Sequence, residues 1–315
     1  MPENINTSMT FIRHGPKSQD GRLTEYGVKD AECFGEKVFT DLLESPPGTI
    51  ACIWPSNVAR NIETAVAIEN TLIRKAAVNE NIVVLKADTA NKEMMRQAAK
   101  KLGNQKMLVT DLFPQLAIGF KENGPDPVGD EIVRLKQILG GNEVNLNDTI
   151  GAIWASTPKE TAFIKDMIPQ KYPGVNLDEL DPDPVKFGMT PEDEARRQIR
   201  WMRAVLRAVE DYFPNNPVKI VAITNTISVD FAVMSLLGIP ITAANFLELG
   251  GARRYLEPHN VNVVRDGDGK TNISVSFRGK KRQFDGDELD QLLLKLQASS
   301  AKRNQARVEQ MNKTT

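Results

Sequence analysis

The chain has 315 residues, 41% of them hydrophobic, enough to bury a large core in one domain or two. Its 40 Lys and Arg against 41 Asp and Glu leave a net charge of -1, which excludes a general attraction to nucleic acid or to an anionic membrane, so any anion site must be local. No apolar run reaches bilayer length, Met1 to Ser8 lacks the regions of a signal peptide, and two cysteines are too few for a disulfide framework; a cytoplasmic protein is expected, with Cys33 and Cys52 both buried.

Met9-Thr10-Phe11-Ile12 predicts a strand over 9–13 that ends on Arg13-His14-Gly15. Leu23-Thr24 and Gly27 then open an amphipathic helix over 25–44, followed by a strand at 50–54 and a helix over 57–77, a βαβα start. Short apolar runs at 82–85 and 107–109 lead into a Gly-, Pro-, Asn- and Asp-rich region over 119–190, with helical stretches at 129–139 and 158–168. Residues 80–190 are therefore expected to form a cap inserted over the sheet edge. Thr190-Pro191-Glu192-Asp193 supplies a cap residue, a proline at the first helical position and first-turn acids, and opens a helix to Phe213. Val218 to Thr224 is the most apolar short strand, and the helix over 229–237 after it stops at Gly238. Alternation at 254–256, 261–264 and 273–277, with a hairpin turn at Asp266-Gly267-Asp268-Gly269, predicts an antiparallel edge.

From Asp287 to about Gln310 the pattern is helical, apolar through Leu289, Leu292, Leu293 and Leu296, then polar, so the later part is expected to fray or lie on the surface. Ile53-Trp54-Pro55-Ser56 is echoed by Ile153-Trp154-Ala155-Ser156, but the second copy lacks a matching arginine and is read as coincidence. The expected fold is α/β: a three-layer sandwich whose mainly parallel sheet is flanked by helices. It spans 1–285 with the inserted cap, and a helical tail follows over 286–315.

A strand that ends on Arg13-His14-Gly15 holds a histidine at the carboxyl edge of the sheet, where open α/β folds place their ligands. A neutral imidazole can attack phosphorus in line, dividing one difficult displacement into two. Arg13 and Arg60 are placed to suppress the charge of His14 by like-charge repulsion and to hold phosphoryl oxygens with their planar forks. Gly15 lets the backbone come close to an oxyanion. Lys17 would add positive charge, though an ordinary solvated lysine reads equally well. Ser56, Arg60 and Thr64 follow at four-residue steps, with Ala65 next to Thr64, and Ser56 and Thr64 are expected to brace the turn behind the site. His259 is expected to be a surface or strand-end histidine, and the acids from Asp178 to Asp183 a solvated loop, since this chemistry needs no metal and no cofactor.

These residues resemble the histidine phosphatase superfamily, also called the phosphoglycerate mutase-like fold. The resemblance covers roughly residues 9–66 and 190–252. It is carried by Arg13, His14 and Gly15, by Leu23, Thr24, Gly27 and Ala31, and by Ser56, Arg60, Thr64 and Ala65, with Asn57 in place of an expected proline. It implies that His14 is the phosphate-accepting nucleophile. The family's second histidine falls at Ile223-Thr224-Asn225-Thr226, where Asn225 can donate to phosphate but cannot titrate, or can simply cap a helix. The family's proton-donating carboxylate aligns with Gln115, with Asp111 and Glu122 as alternatives. Amides bind oxyanions without transferring protons, and a general acid is worth roughly two to four powers of ten. The resemblance thus implies hydrolysis of phosphomonoesters through a phosphohistidine at His14 with weakened activity, or a catalytically inactive relative that binds a phosphorylated small molecule or phosphoprotein; a mutase is disfavoured because re-donation needs the missing proton-transfer groups. Gly15, Lys17, Gln115, Asn225 and Thr226 are the expected substrate contacts, with no nucleic acid or membrane partner.

Overall fold

The structure is a computed structural model that describes residues 5–18, 20–56, 58–87, 92–110, 127–141, 143–181, 183–225, 227–266 and 270–314. Its chain divides into two compact units. The first comprises Met1–Phe120, Trp201–Asn225 and Tyr255–Gly286; the second comprises Lys121–Arg200, Thr226–Arg254 and Asp287–Thr315.

The first unit holds an eight-stranded sheet of order β3-β4-β2-β5-β1-β6-β7-β8. Strands β1 (Ile5–Arg13), β2 (Ile50–Pro55), β3 (Ile82–Lys86), β4 (Lys106–Thr110) and β5 (Val218–Thr224) pair in parallel. Strands β6 (His259–Arg265), β7 (Thr271–Phe277) and β8 (Lys280–Asp285) extend the sheet antiparallel from β1. Helices α1 (Glu25–Leu43), α2 (Ala59–Ala76) and α3 (Lys92–Lys100) complete the βα units. The parallel strands are apolar because both faces are covered. Ile12, Ile53, Val221 and Ile223 pack with Ala31, Leu42, Ile68 and Leu72 of α1 and α2. On the other face Trp201, midway along a long helix, lies 6.0 Å from Phe11 and 6.1 Å from Trp54, ring centre to ring centre. The unit is thus an α/β layered fold, as the sequence predicts.

Local signals explain the boundaries. Thr24 caps α1, its hydroxyl accepting the Gly27 N–H at 2.9 Å. In β6 and β7 buried Val261, Val263, Ile273, Val275 and Phe277 alternate with half-buried or exposed polar residues, the period of a sheet with one solvated face.

The second unit is helical. Helices α4 (Pro127–Leu139), α5 (Glu143–Ala155), α6 (Thr161–Lys171), α7 (Leu177–Leu180), α9 (Ser228–Leu236) and α10 (Ala243–Glu248) lie within it, together with the start of α8 (Pro191–Tyr212) and nearly all of α11 (Gly286–Thr314). Every residue from Leu146 to Ser156 is buried, so α5 shows no polar face. Its Trp154 stacks on Phe187 with ring centres 4.9 Å apart, and its Gly151 lets the Phe246 ring approach where a methyl group would lie 2.4 Å from it.

Several expectations are corrected. The runs at 82–85 and 107–109, assigned to an insertion over the sheet edge, are that edge, as parallel strands β3 and β4. Residues 254–256 are not a strand; the first antiparallel partner of β1 begins at His259, and β8 is an additional strand, unmarked in the sequence because Lys280-Lys281-Arg282-Gln283 carries no apolar alternation. Cys33 is exposed on the outer side of α1, whereas Cys52 is buried in β2. His259 is 2% exposed and stacks on Phe11 at 4.6 Å, so it is a core residue at a strand start. The polar half of α11 lies on the surface as expected, most of its described residues being exposed, but Arg303 holds it there: its side chain is 8% exposed, grips Glu192 through Nε and Nη2, and donates to the carbonyls of Ala155, Ser156 and Ile241. The acids at 178–183 serve turns: Asp183 accepts from the Val185 N–H at 2.8 Å, and Asp181 pairs with Lys186 at 2.5 Å. The Asp266 N–H bonds the Lys270 carbonyl at 3.1 Å, while residues 267–269 lie outside the described residues.

Candidate active site

The parallel register aligns Arg13 of β1 with Thr224 of β5, so the carboxyl ends of these neighbouring strands deliver His14 and Asn225 side by side. The Ser56 N–H bonds the Ile223 carbonyl at 2.8 Å and brings the start of α2 to the same edge. This edge is the crevice where open α/β sheets bind ligands.

Arg13 is 1% exposed and His14 3%. The His14 ring places Nδ1 2.7 Å from the Gly15 carbonyl. A carbonyl only accepts, so Nδ1 carries the proton and Nε2 presents the lone pair. The imidazole pKa is lowered from 6.5 to about 2, first by burial and then by the charges of Arg13, Arg60 and Lys17; the Gly15 bond opposes them. Burial thus outweighs the like-charge repulsion that the sequence suggested as the cause. The ring is neutral at any ordinary pH, the state a nucleophile needs.

Thr64 joins the two halves of the site. Its hydroxyl accepts the Gly15 N–H at 3.2 Å and donates to the Arg60 carbonyl at 2.8 Å. Arg60, in the first turn of α2, donates from Nη2 to the Asn225 side chain at 2.7 Å. Since arginine only donates, the acceptor is the amide oxygen, and the Asn225 NH₂ is left to donate. Asn61 donates to Ser56 and lies 3.5 Å from the same Asn225 oxygen. Lys17 pairs with Leu23 in a short bridge, and the loop between them closes through Ser18 N–H to Arg22 O at 2.8 Å. Glu63 of α2 accepts the Leu23 N–H at 2.8 Å and holds this loop down.

The structure therefore brings Arg13, His14, Gly15, Lys17, Arg60 and Asn225 to one edge. Gln115 and Thr226 lie outside the described residues, as do Asn57, Asp111 and Glu122. Tyr255 is an addition: its ring covers the Arg13 guanidinium at 4.0 Å and its centre lies 5.7 Å from that of His14. The Leu256 N–H donates to the Arg13 carbonyl at 3.1 Å and fixes this placement. Nothing local marks Tyr255, which reaches the site only through β6 pairing with β1.

Two glycines have a tertiary reason. A Cβ on Gly15 would lie 2.8 Å from the Gly27 carbonyl oxygen, and one on Gly27 would lie 2.3 Å from the Pro16 carbonyl oxygen. The first turn of α1 thus presses on the loop after His14. Gly27→Ala is expected to cost about 1–3 kcal/mol of stability by overpacking and to displace the loop enough to weaken anion binding. Urea denaturation and vanadate titration check both; a variant unchanged in both would show that the loop yields freely.

No protein-family model matches the sequence, and no curated protein does. Solved structures do match. The phosphoglycerate mutase of Plasmodium falciparum is 14% identical over 89% of this chain and 98% of its own, with a TM-score of 0.29. A mycobacterial glucosyl-3-phosphoglycerate phosphatase is 14% identical over 89% of this chain and 96% of its own, with a TM-score of 0.35. The multiple inositol polyphosphate phosphatase of Bifidobacterium longum, complexed with inositol hexasulfate, is 11% identical over 88% and 86%, with a TM-score of 0.39. All three are histidine phosphatase superfamily members. At these TM-scores the likeness assigns no activity, and the chemistry rests on the geometry of the site.

Proposed function

We propose that the chain is a histidine phosphatase-type phosphomonoesterase that works through a phosphohistidine on Nε2 of His14. The observation that carries this is a buried imidazole kept neutral, with its proton fixed on Nδ1 by Gly15 and two arginines beside it. In the first step the Nε2 lone pair forms the N–P bond as the ester P–O bond breaks, and the leaving oxygen departs with the bonding pair as an alkoxide or phenoxide that takes its proton from solvent. In the second, water attacks phosphorus, the N–P bond breaks, the electron pair returns to Nε2, and the protons of the water go to the released phosphate and to solvent. Arg13, Arg60 and the NH₂ of Asn225 would hold the equatorial oxygens as their charge grows. With an amide at Asn225 and another expected at Gln115, leaving groups of low pKa depart readily and alkoxides slowly, so activity depends steeply on leaving-group pKa.

The test is to mix the protein with aryl phosphates of graded leaving-group pKa and to isolate an acid-labile phosphopeptide containing His14. Labelling and turnover that fall steeply with leaving-group pKa support the reading; neither labelling nor turnover with the best leaving group overturns it. One contact favours a second reading, a phosphate-binding relative without catalysis: the Asn225 oxygen already engages Arg60 at 2.7 Å, leaving binding intact but weakening the clamp on the transition state. Saturable vanadate binding without turnover, lost in Arg60→Ala, would establish that alternative.

A further inference from the structure

We propose that Asn61 is a positioning residue of the His14 site: it locks the side-chain amide of Asn225 in the one orientation that presents only N–H donors to a bound phosphoryl group. The inference rests on the reading of the His14 site as a phosphate site, and adds a residue that acts through Asn225 rather than on the ligand. Helix α2 buries Asn61, Thr64 and Thr71 together with Ala65, Ala67, Ile68 and Leu72. The two threonines satisfy themselves within the helix, Thr64 donating to the Arg60 carbonyl at 2.8 Å and Thr71 to the Ala67 carbonyl at 3.1 Å. Asn61 is 0% exposed, yet its side chain has no such local solution. Its Nδ2 reaches out of the helix to Ser56, just after β2, and toward Asn225, just after β5, while its Oδ1 meets no hydrogen-bond partner among the described residues. An alanine would pack here without an orphaned acceptor, so burial alone does not account for an asparagine.

The donors decide the orientation. Arginine only donates, so the Arg60 Nη2 contact at 2.7 Å identifies the Asn225 atom that faces it as Oδ1. The Asn61 group 3.5 Å from that same oxygen is then its NH₂, since two amide oxygens would repel. Arg60 and Asn61 are consecutive residues, about 100° apart around the helix, and approach the oxygen from two directions. One donor alone leaves the amide free to turn about its contact; a second removes that freedom. Ser56 anchors the second donor: its hydroxyl accepts from the Asn61 NH₂, and its N–H bonds the Ile223 carbonyl at 2.8 Å, tying the end of β2 to the strand that carries Asn225. A flipped Asn225 would turn a carbonyl oxygen toward the anion and repel it. Held as it is, the amide offers only donors, which phosphoryl oxygens accept.

The test is a cycle between Asn61→Asp and Asn225→Ala, read as the calorimetric affinity of the full chain for benzylphosphonate, a phosphomonoester mimic whose C–P bond resists hydrolysis. Aspartate keeps the size of Asn61 and its bond to Ser56 but faces Asn225 with acceptors only. In the wild type, Asn225→Ala is expected to weaken binding at least about tenfold, the loss of one hydrogen bond to a charged group. In the Asn61→Asp background the same truncation is expected to weaken it less than about twofold, because the amide no longer presents its NH₂. The charge that aspartate adds acts with and without the Asn225 side chain and cancels in the cycle. Asn61→Ala supplies an uncharged background with the same expectation. Equal losses from Asn225→Ala in every background, or no loss in the wild type, overturn the proposal with the phosphate site intact. A urea midpoint showing Asn61→Ala unfolded would make Asn61 a structural residue and overturn it as well. Failure of the wild type to bind benzylphosphonate overturns the phosphate site itself, and the positioning role with it.

Discussion

His14→Ala is expected to reduce phosphate release from an aryl phosphate to the blank, a loss of at least about ten-thousandfold, because nucleophile and phosphoryl carrier are the same atom. Vanadate binding through Arg13 and Arg60 is expected to survive, which separates lost chemistry from lost folding. The variant also carries a pH signature. The imidazole binds its proton near pH 6.5 in the unfolded chain but only near 2 in the folded one. Between these values the unfolded state holds more protons, so the stability it represents is complete above pH 6.5 and is lost as pH falls toward 2. The slope is about 1.4 kcal/mol per pH unit, or roughly 2 kcal/mol by pH 5. Urea denaturation at pH 7.5 and 5 is expected to show this acid-side loss in the wild type and a smaller one in His14→Ala. Equal losses in both would mean that His14 is not buried neutral. Unchanged turnover in the variant would remove His14 from the reaction altogether.

Asp230→Ala is expected to cost the second unit about 3–5 kcal/mol, the penalty for leaving a buried guanidinium without its carboxylate. The Asp230 and Arg253 side chains are 2% and 0% exposed and meet at 2.9 Å. Burial pushes the Asp230 pKa up, but the charge and hydrogen bonds of Arg253 and the backbone N–H groups hold it below the ordinary carboxylate value. The same carboxylate accepts the N–H of Ile227 at 2.9 Å and of Arg253 at 3.2 Å. Ile227 has φ of 70°, a strained conformation for a branched residue that costs about 1–3 kcal/mol, and the Asp230 bond pins it two residues after Asn225. Asp230→Leu combined with Arg253→Met is expected to be far less destabilised than either single change, since no charge is then stranded. Urea midpoints at pH 7 decide it: a single variant as stable as the wild type would show that the pair carries no structural weight.

The sequence by itself determined the features whose cause is local. Arg13-His14-Gly15 closes an apolar run, Thr24 caps α1, Thr190 and Pro191 open α8, and Val218 to Thr224 is a strand because nothing else suits so short an apolar run. The four-residue step from Arg60 to Thr64 marked one helix face. Tertiary structure alone decided the rest, because those outcomes depend on what each segment meets. Helix α5 lost its periodic signal because Leu146 to Ala155 are all buried, and β8, polar except for Phe284, became a strand only by pairing with β7. Runs at 82–85 and 107–109 joined the sheet as β3 and β4 although their residues read equally well as an insertion. Tyr255 reached Arg13 through the pairing of β6 with β1, His259 entered the core by stacking on Phe11, and Arg303 found Glu192 across 111 residues of chain. Periodicity reports which face a residue turns, whereas register and burial decide what lies opposite, and only those place a neutral histidine beside two arginines.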